Sequence, residues 1–281
     1  MIFALVIAAT PSLALETIIS NSKFSSADER FVYPLNILKT ALDRTVETHG
    51  PFEIKPFPGR LTRSRALAEL KKGRITIFEA PTRREWEENA IPVRIPIRKG
   101  ILGYRLLLIR EGEQAKFDAV RTIEDLKKYR LGSGQQWSTT KAFKKLGIDV
   151  FGGTKYEPLF KMLSIGRFDY FPRGLNEVFA EFDKRKGEIP NLALEKNLAL
   201  YLPLPTYFFV TPKRPDLATR LEAGLKSMIK DGTLEQVFEK YHGPSIARAN
   251  LESRRIIRLE NLTLTDQTPF DIKSYWYQPG S

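Results

Sequence analysis

Apolar residues recur along this chain at helical spacing in some stretches and in short continuous runs in others, with Gly or Pro where one gives way to the other. Thr17 to Ser20 reads as a short strand. Phe31, Leu35, Leu38, Leu42 and Val46 recur at three- and four-residue steps and predict a helix. A strand over Phe52 to Phe57, a helix over Ser64 to Lys72 and a strand over Ile75 to Ala80 follow, with Gly50 and Gly73 at the helix ends. Beyond a Pro-rich passage at Ile91 to Ile97, Tyr104 to Ile109 is a continuous apolar run suited to a strand buried on both faces.

The pattern then restarts. Thr122 opens a short helix, Tyr129 to Gly132 reads as a strand, Thr139 to Leu146 and Glu157 to Ile165 as helices, and Phe168 to Phe171 as a strand. Leu175 to Arg185 reads as a helix, Ala199 to Leu202 as a strand ahead of Pro203 and Pro205, and Tyr207 to Thr211 as another strand. Two amphipathic helices close the pattern. Leu217, Leu221, Leu225 and Met228 line the first, behind Pro215 and up to Gly232. In the second, Thr233 is the expected N-cap with Gln236 at capping-box spacing, Leu234, Val237, Phe238 and Tyr241 form the buried face, and Gly243 with Pro244 is the expected stop.

Strands alternating with helices build a mostly parallel α/β sheet covered on its faces. At 281 residues and 42% hydrophobic content, the chain has material for two such units. The expected division places lobe 1 in residues 15–109 and 204–281, with lobe 2 inserted over 110–203. Residues 1–14 are nearly all apolar yet too few to span a bilayer, and Ser12-Leu13-Ala14 offers the small residues of a cleavage site, so a signal peptide and a periplasmic, exported protein are expected.

Composition narrows the chemistry. With no Cys and only His49 and His242, disulfides, thiol catalysis and the usual zinc clusters drop out, and no metal or cofactor is expected. The net charge of +12 is spread among acidic residues, as in Lys184 to Glu188, so a solvated surface rather than a nucleic-acid interface is expected. No Gly-x-Ser-x-Gly elbow is present, which argues against serine hydrolysis.

The run DGTLEQVFEKYHG, together with LKKGRITIF, TIEDLKKYRLGSGQQWSTT and LFKMLSIGRFDYF in that order, resembles the periplasmic solute-binding proteins of the amino-acid-binding class. That resemblance implies a two-lobe Venus-flytrap of the type II periplasmic-binding-protein-like fold, a monomer that closes on one small-molecule ligand and delivers it to an ABC-type membrane permease. A sensory input to a membrane receptor is the alternative, and an acid–base enzyme using Glu79 a more distant one.

Physical reasoning puts a ligand beyond the carboxyl ends of the strands, where Ser133, Gly134, Gln135 and Gln136 follow one of them and Trp137 begins the next helix. The resemblance implies an Arg after the third strand that clamps a carboxylate; Arg84 in TRREW is the nearest match, with Arg83 beside it and Glu79 where a hydroxyl is usual. It also implies an Asp five positions beyond Asp169 to hold an ammonium group, but Gly174 stands there with Arg173 adjacent, so an anionic solute is expected. Phe24 and Tyr33 flank the loop where the family places a stacking ring, and Asp169 is expected to serve structure.

Overall fold

The computed structural model describes residues 14–20, 29–59 and 61–280. Residues 1–13, which hold most of the expected signal peptide, and Phe24 lie outside the described residues.

The chain opens with β1 (Glu16–Ser20), α1 (Glu29–Asp43), the single turn α2 (Val46–His49), β2 (Phe52–Pro56), α3 (Arg63–Lys72) and β3 (Ile77–Pro81). The turn α4 (Arg84–Glu87) and the short β4 (Ile91–Val93) follow. Thr62 caps α3 by accepting from the Arg65 amide, and Gly73 ends it in the left-handed conformation. With β10 (Thr206–Val210) these strands form a sheet in the order β2-β1-β3-β10-β4, parallel around β1 and antiparallel on both sides of β10. Period-two alternation divides β10 between two cores. Phe208 and Val210 pack with α1 and with α10 (Pro215–Lys230), while Tyr207 and Phe209 pack with α3 and Trp86.

The second sheet starts at β5 (Tyr104–Arg110), buried except at its last residue. The turns α5 (Gln114–Asp118) and α6 (Ile123–Leu126), β6 (Leu131–Gly134), α7 (Ser138–Lys145), β7 (Val150–Gly153) and α8 (Tyr156–Ser164) come next. They are followed by β8 (Phe171–Gly174), α9 (Val178–Arg185) and β9 (Leu192–Tyr201). The strand order is β11-β9-β5-β8, with β11 at Arg255–Arg258, and the parallel pair β6-β7 joins through a bridge between Leu131 and Tyr170. Leu106 and Leu108 face one core and Leu107 and Ile109 the other.

Several elements differ from their sequence reading. The apolar run at Tyr104 to Arg110 pairs with β8 and β9, so it belongs to the second sheet and the passage between sheets lies ahead of it. The strand expected at Phe168 to Phe171 begins at Phe171 instead, because Asp169 and the Phe168 carbonyl are held by Arg110 and Lys116. Asp169 thus serves structure. The last helix, α11 (Thr233–Ala249), runs through Gly243 and Pro244. Its extension past an internal Pro, a breaker that costs roughly 3 kcal/mol, buries Ala249 in the second core and brings Arg248 to Asp183 at 2.6 Å and over Phe179. The capping box from Thr233 to Gln236 does not form. The Thr233 hydroxyl accepts from Arg44, and Asp231 accepts from the Thr233 amide at 2.9 Å.

Candidate functional site

The charged side chains that meet between the two sheets come from strand ends and from the first turns beyond them. Arg63 opens α3 and is exposed, yet it faces Glu79 and Arg83 from the first sheet and Glu177 from the second. Its exposed guanidinium therefore lies within electrostatic range of charges from both sheets, at the seam between them.

On the first-sheet wall, Glu79 projects from β3 to an ion pair with Arg98 at 3.3 Å. Arg98 lies over the Tyr33 ring at 4.9 Å, with Nη1 3.5 Å from His242 Nε2. Burial first and the Arg98 charge second push the His242 pKa down to about 3, so the ring is neutral and accepts from the guanidinium. Arg83 pairs with Glu85 at 2.8 Å, but its buried Nε has no partner. Arg84 goes elsewhere. It lines an outer groove of about 330 Å³ with Glu87, Glu88, Arg94 and residues 265–267. The one-residue difference is decisive because Arg83 is fully extended, at φ −163° and ψ 157°, so its neighbour points away from it. The expected clamp at Arg84 is therefore not at the seam, and Arg83 stands there instead.

On the second-sheet wall, Arg173 is engaged within the protein. Arg173 is 3% exposed and gives Nε and Nη2 to the two Glu181 oxygens, each at 2.6 Å, with Glu177 at 3.1 Å. Its guanidinium lies 4.6 Å from the Trp137 ring and 4.8 Å from that of Phe171, a cation held between aromatic faces and carboxylates. Burial pulls its pKa down, but the two glutamates outweigh this and raise it. Arg105, on β5, shares Glu177 at 3.6 Å and leaves a buried Nε without a partner. Asn176 Oδ1 is buried and unpartnered too. Around Gly174, the Glu177 carboxylate accepts from the Gly174 amide at 3.0 Å, so a carboxylate does stand at this strand end, three residues after the expected position.

The turn from Ser133 to Trp137 joins Arg173 through Trp137 alone. The Trp137 and Phe171 rings stack at 6.0 Å and 12°, and any Cβ on Gly134 would overlap the indole. Ser133 is buried, with its Oγ 2.6 Å from Thr140 Oγ1. The Gln135 amide donates to the Gly153 carbonyl and the Trp137 amide to the Gly134 carbonyl, while both glutamines are exposed. Two of the backbone donors expected to receive an anion are thus used within the turn.

Sequence reasoning missed Arg63, Arg98, Arg105 and Glu177. A signal existed for Arg105, since an arginine inside a continuous apolar strand must be buried and paired. Arg63 also follows a strand end, the same rule that singled out Ser133. Among the described residues, no group of three or more His, Cys, Asp or Glu is placed to hold a metal ion.

Neither a scan against protein-family models nor a search of curated proteins finds a match. Solved structures do match in fold. An ancestral arginine-binding protein bound to glutamine superposes with a TM-score of 0.55 at 18% identity, over 82% of this chain and 98% of that one. The probable amino-acid ABC transporter extracellular-binding protein ytmK from Bacillus subtilis gives 0.56 at 19% identity, over 82% and 98%. The ancestral amino acid-binding protein AncCDT-1, a precursor of cyclohexadienyl dehydratase, gives 0.52 at 17%, over 81% and 95%. The chain has the two-lobe, type II periplasmic-binding-protein-like fold.

Proposed function

We propose that the protein is an extracytoplasmic solute-binding protein, a monomer that holds one small anionic solute between its lobes for delivery to an ABC-type permease. The first lobe then consists of the sheet around β1 and β10, and the second of the sheet around β5 and β9. The fold shared with amino-acid-binding proteins supports binding as the activity, and among the described residues no helix is long and apolar enough to cross a membrane.

One observation carries the choice of ligand: Arg83 Nε and Arg105 Nε are buried donors without partners, on opposite walls of a seam in which Arg63 is open to solvent. An unpaired buried polar group costs about 1–3 kcal/mol, which carboxylate or phosphate oxygens placed between the walls would recover. Arg63 and Arg83 add positive charge beside these donors, within range of Glu79 and Glu177. Arg173 contributes to this site by holding Trp137 and Glu181 in place, and Asn176 Oδ1 supplies an acceptor for a donor on the solute.

A thermal-shift screen over amino acids, dicarboxylates, peptides and muropeptides tests the reading, because a ligand that binds only the folded chain raises its midpoint by mass action. An anionic solute should give the largest rise and be recovered unchanged after incubation. Recovery of a converted product would instead indicate acid–base turnover at Glu79, and a larger rise with glycine or glutamine than with any anion would overturn the anionic reading.

A further inference from the structure

Besides the longer route through α10 and α11, two short passages connect the sheets, and one later segment of the chain grips both. Ile97 donates its amide to the Thr206 carbonyl at 3.0 Å and Leu202 to the Gly103 carbonyl at 3.0 Å, so the passages run side by side. A hinge of this kind turns when a few such residues change φ and ψ. Here β11 first adds a strand to the second sheet, and the Leu259 amide then donates to the Tyr201 carbonyl at 2.8 Å. The Asn261 side chain donates to the Pro203 carbonyl at 2.7 Å, inside the second passage. The Thr263 carbonyl accepts from the Arg84 amide at 3.4 Å and Thr265 donates to Glu87 at 2.8 Å, both on the first-sheet side, while Lys145 of the second unit reaches the Leu262 carbonyl at 3.0 Å.

The same segment ends on the first passage. The Tyr277 amide donates to the Lys99 carbonyl at 2.8 Å, and the Tyr104 hydroxyl donates to the Tyr277 carbonyl at 3.3 Å. Trp276 is 5% exposed and lies on Gly100, where a Cβ would come within 2.6 Å of the indole. Its Nε1 donates to the Pro269 carbonyl at 2.8 Å and its ring stacks on Phe270 at 5.0 Å. Lys99 and Gly100 are both left-handed, at φ 46° and 68°, so this passage already uses an uncommon backbone conformation that the indole covers.

We propose that residues 255–277 form a strap that fixes the angle between the lobes, so that the seam is held at one opening and lobe closure is not available to the strapped chain. Rotation about the two passages would have to detach Asn261 from one and Trp276 and Tyr277 from the other, while β11 and Thr265 hold the strap to opposite lobes. The inference is independent of what the seam binds.

The absence of cysteine lets single labels be placed on each lobe. Lys71→Cys on α3 and Lys141→Cys on α7 are exposed positions for spin labels, read as a distance distribution by pulsed electron paramagnetic resonance. The full chain should give one narrow distance, and Trp276→Ala with Asn261→Ala should add a second population. Two populations in the full chain, or a single unchanged peak in a released variant whose circular dichroism is native, would overturn the strap. If the released variant fails to fold, hydrogen exchange on the unaltered chain decides. The Leu202, Leu259 and Tyr277 amides should exchange within about tenfold of Leu106 and Leu108 in β5, and faster exchange than that means the passages open freely.

Discussion

On the second-sheet wall of the seam Arg173 is buried and engaged by Glu181 and Glu177, whereas on the first-sheet wall Arg63 is exposed and Arg83 leaves its Nε unmet. Arg173 and Arg83 thus differ in how far their donors are met, and Arg105, beside Arg173, keeps a buried Nε without a partner as Arg83 does. A guanidinium whose donors are met by carboxylates and whose faces are covered by Trp137 and Phe171 stabilises the wall it stands in. One with unmet donors at an open seam is ready for a ligand. An arginine near a strand end therefore says little about binding until its partners are known, and counting arginines overstates the positive charge that a solute would meet.

The largest expected effect lies on the second-sheet wall. Arg173→Ala leaves Glu181 and Glu177 without their shared cation and should cost about 3–5 kcal/mol, read from denaturant unfolding; a loss under about 1 kcal/mol would erase the contrast between the walls. Gly134→Ala comes next. Its Cβ would overlap the indole that covers Arg173, so overpacking of about 1–3 kcal/mol is expected, with a change in Trp fluorescence as the ring moves.

Behind the first-sheet wall, His242 supplies a pH-dependent term. The unfolded chain takes up a proton near the ordinary value of about 6.5, but the folded chain holds His242 neutral down to about 3. Between those values the unfolded state binds more protons, so this contribution to stability falls as pH drops, by about 1.4 kcal/mol per unit at most, and is level above the window. His242→Phe should flatten that part of the stability profile relative to the parent, and an unchanged slope would show the ring to be solvated. The smallest stability effect belongs to Arg63. Its exposure predicts that Arg63→Ala changes unfolding free energy by less than about 0.5 kcal/mol. Calorimetry with the anion that ranks first in the screen should nonetheless show about ten- to a hundredfold weaker affinity, the worth of one charge-assisted hydrogen bond. Equal losses of stability and binding at Arg63 and Arg173 would mean that the walls do not differ.

Much of the fold was legible in local spacing. The period of Leu217, Leu221, Leu225 and Met228 set out α10, and Gly73 ended α3 where expected, because amphipathic period and left-handed glycine are properties of a few neighbouring residues. The positions of Glu79, Trp137 and Arg173 near strand ends were legible too, since strand ends can be found once strands can. Choosing Arg83 over Arg84 required the φ and ψ of a single residue.

By itself the sequence determined the α/β alternation, the approximate extents of most helices and the placement of Tyr104 to Ile109 in a sheet interior. Tertiary structure decided which sheet that strand joined, because a run that is apolar on both faces has no sidedness for a pattern to reveal. It decided that α11 passes Pro244, since the residues its last turns meet, Asp183, Phe179 and the core around Ala249, are distant in sequence and no local pattern shows them. It also decided which arginines have their donors met within the fold and which do not, because a guanidinium's availability depends on carboxylates and rings brought to it by other elements, as Glu181 and Trp137 are brought to Arg173.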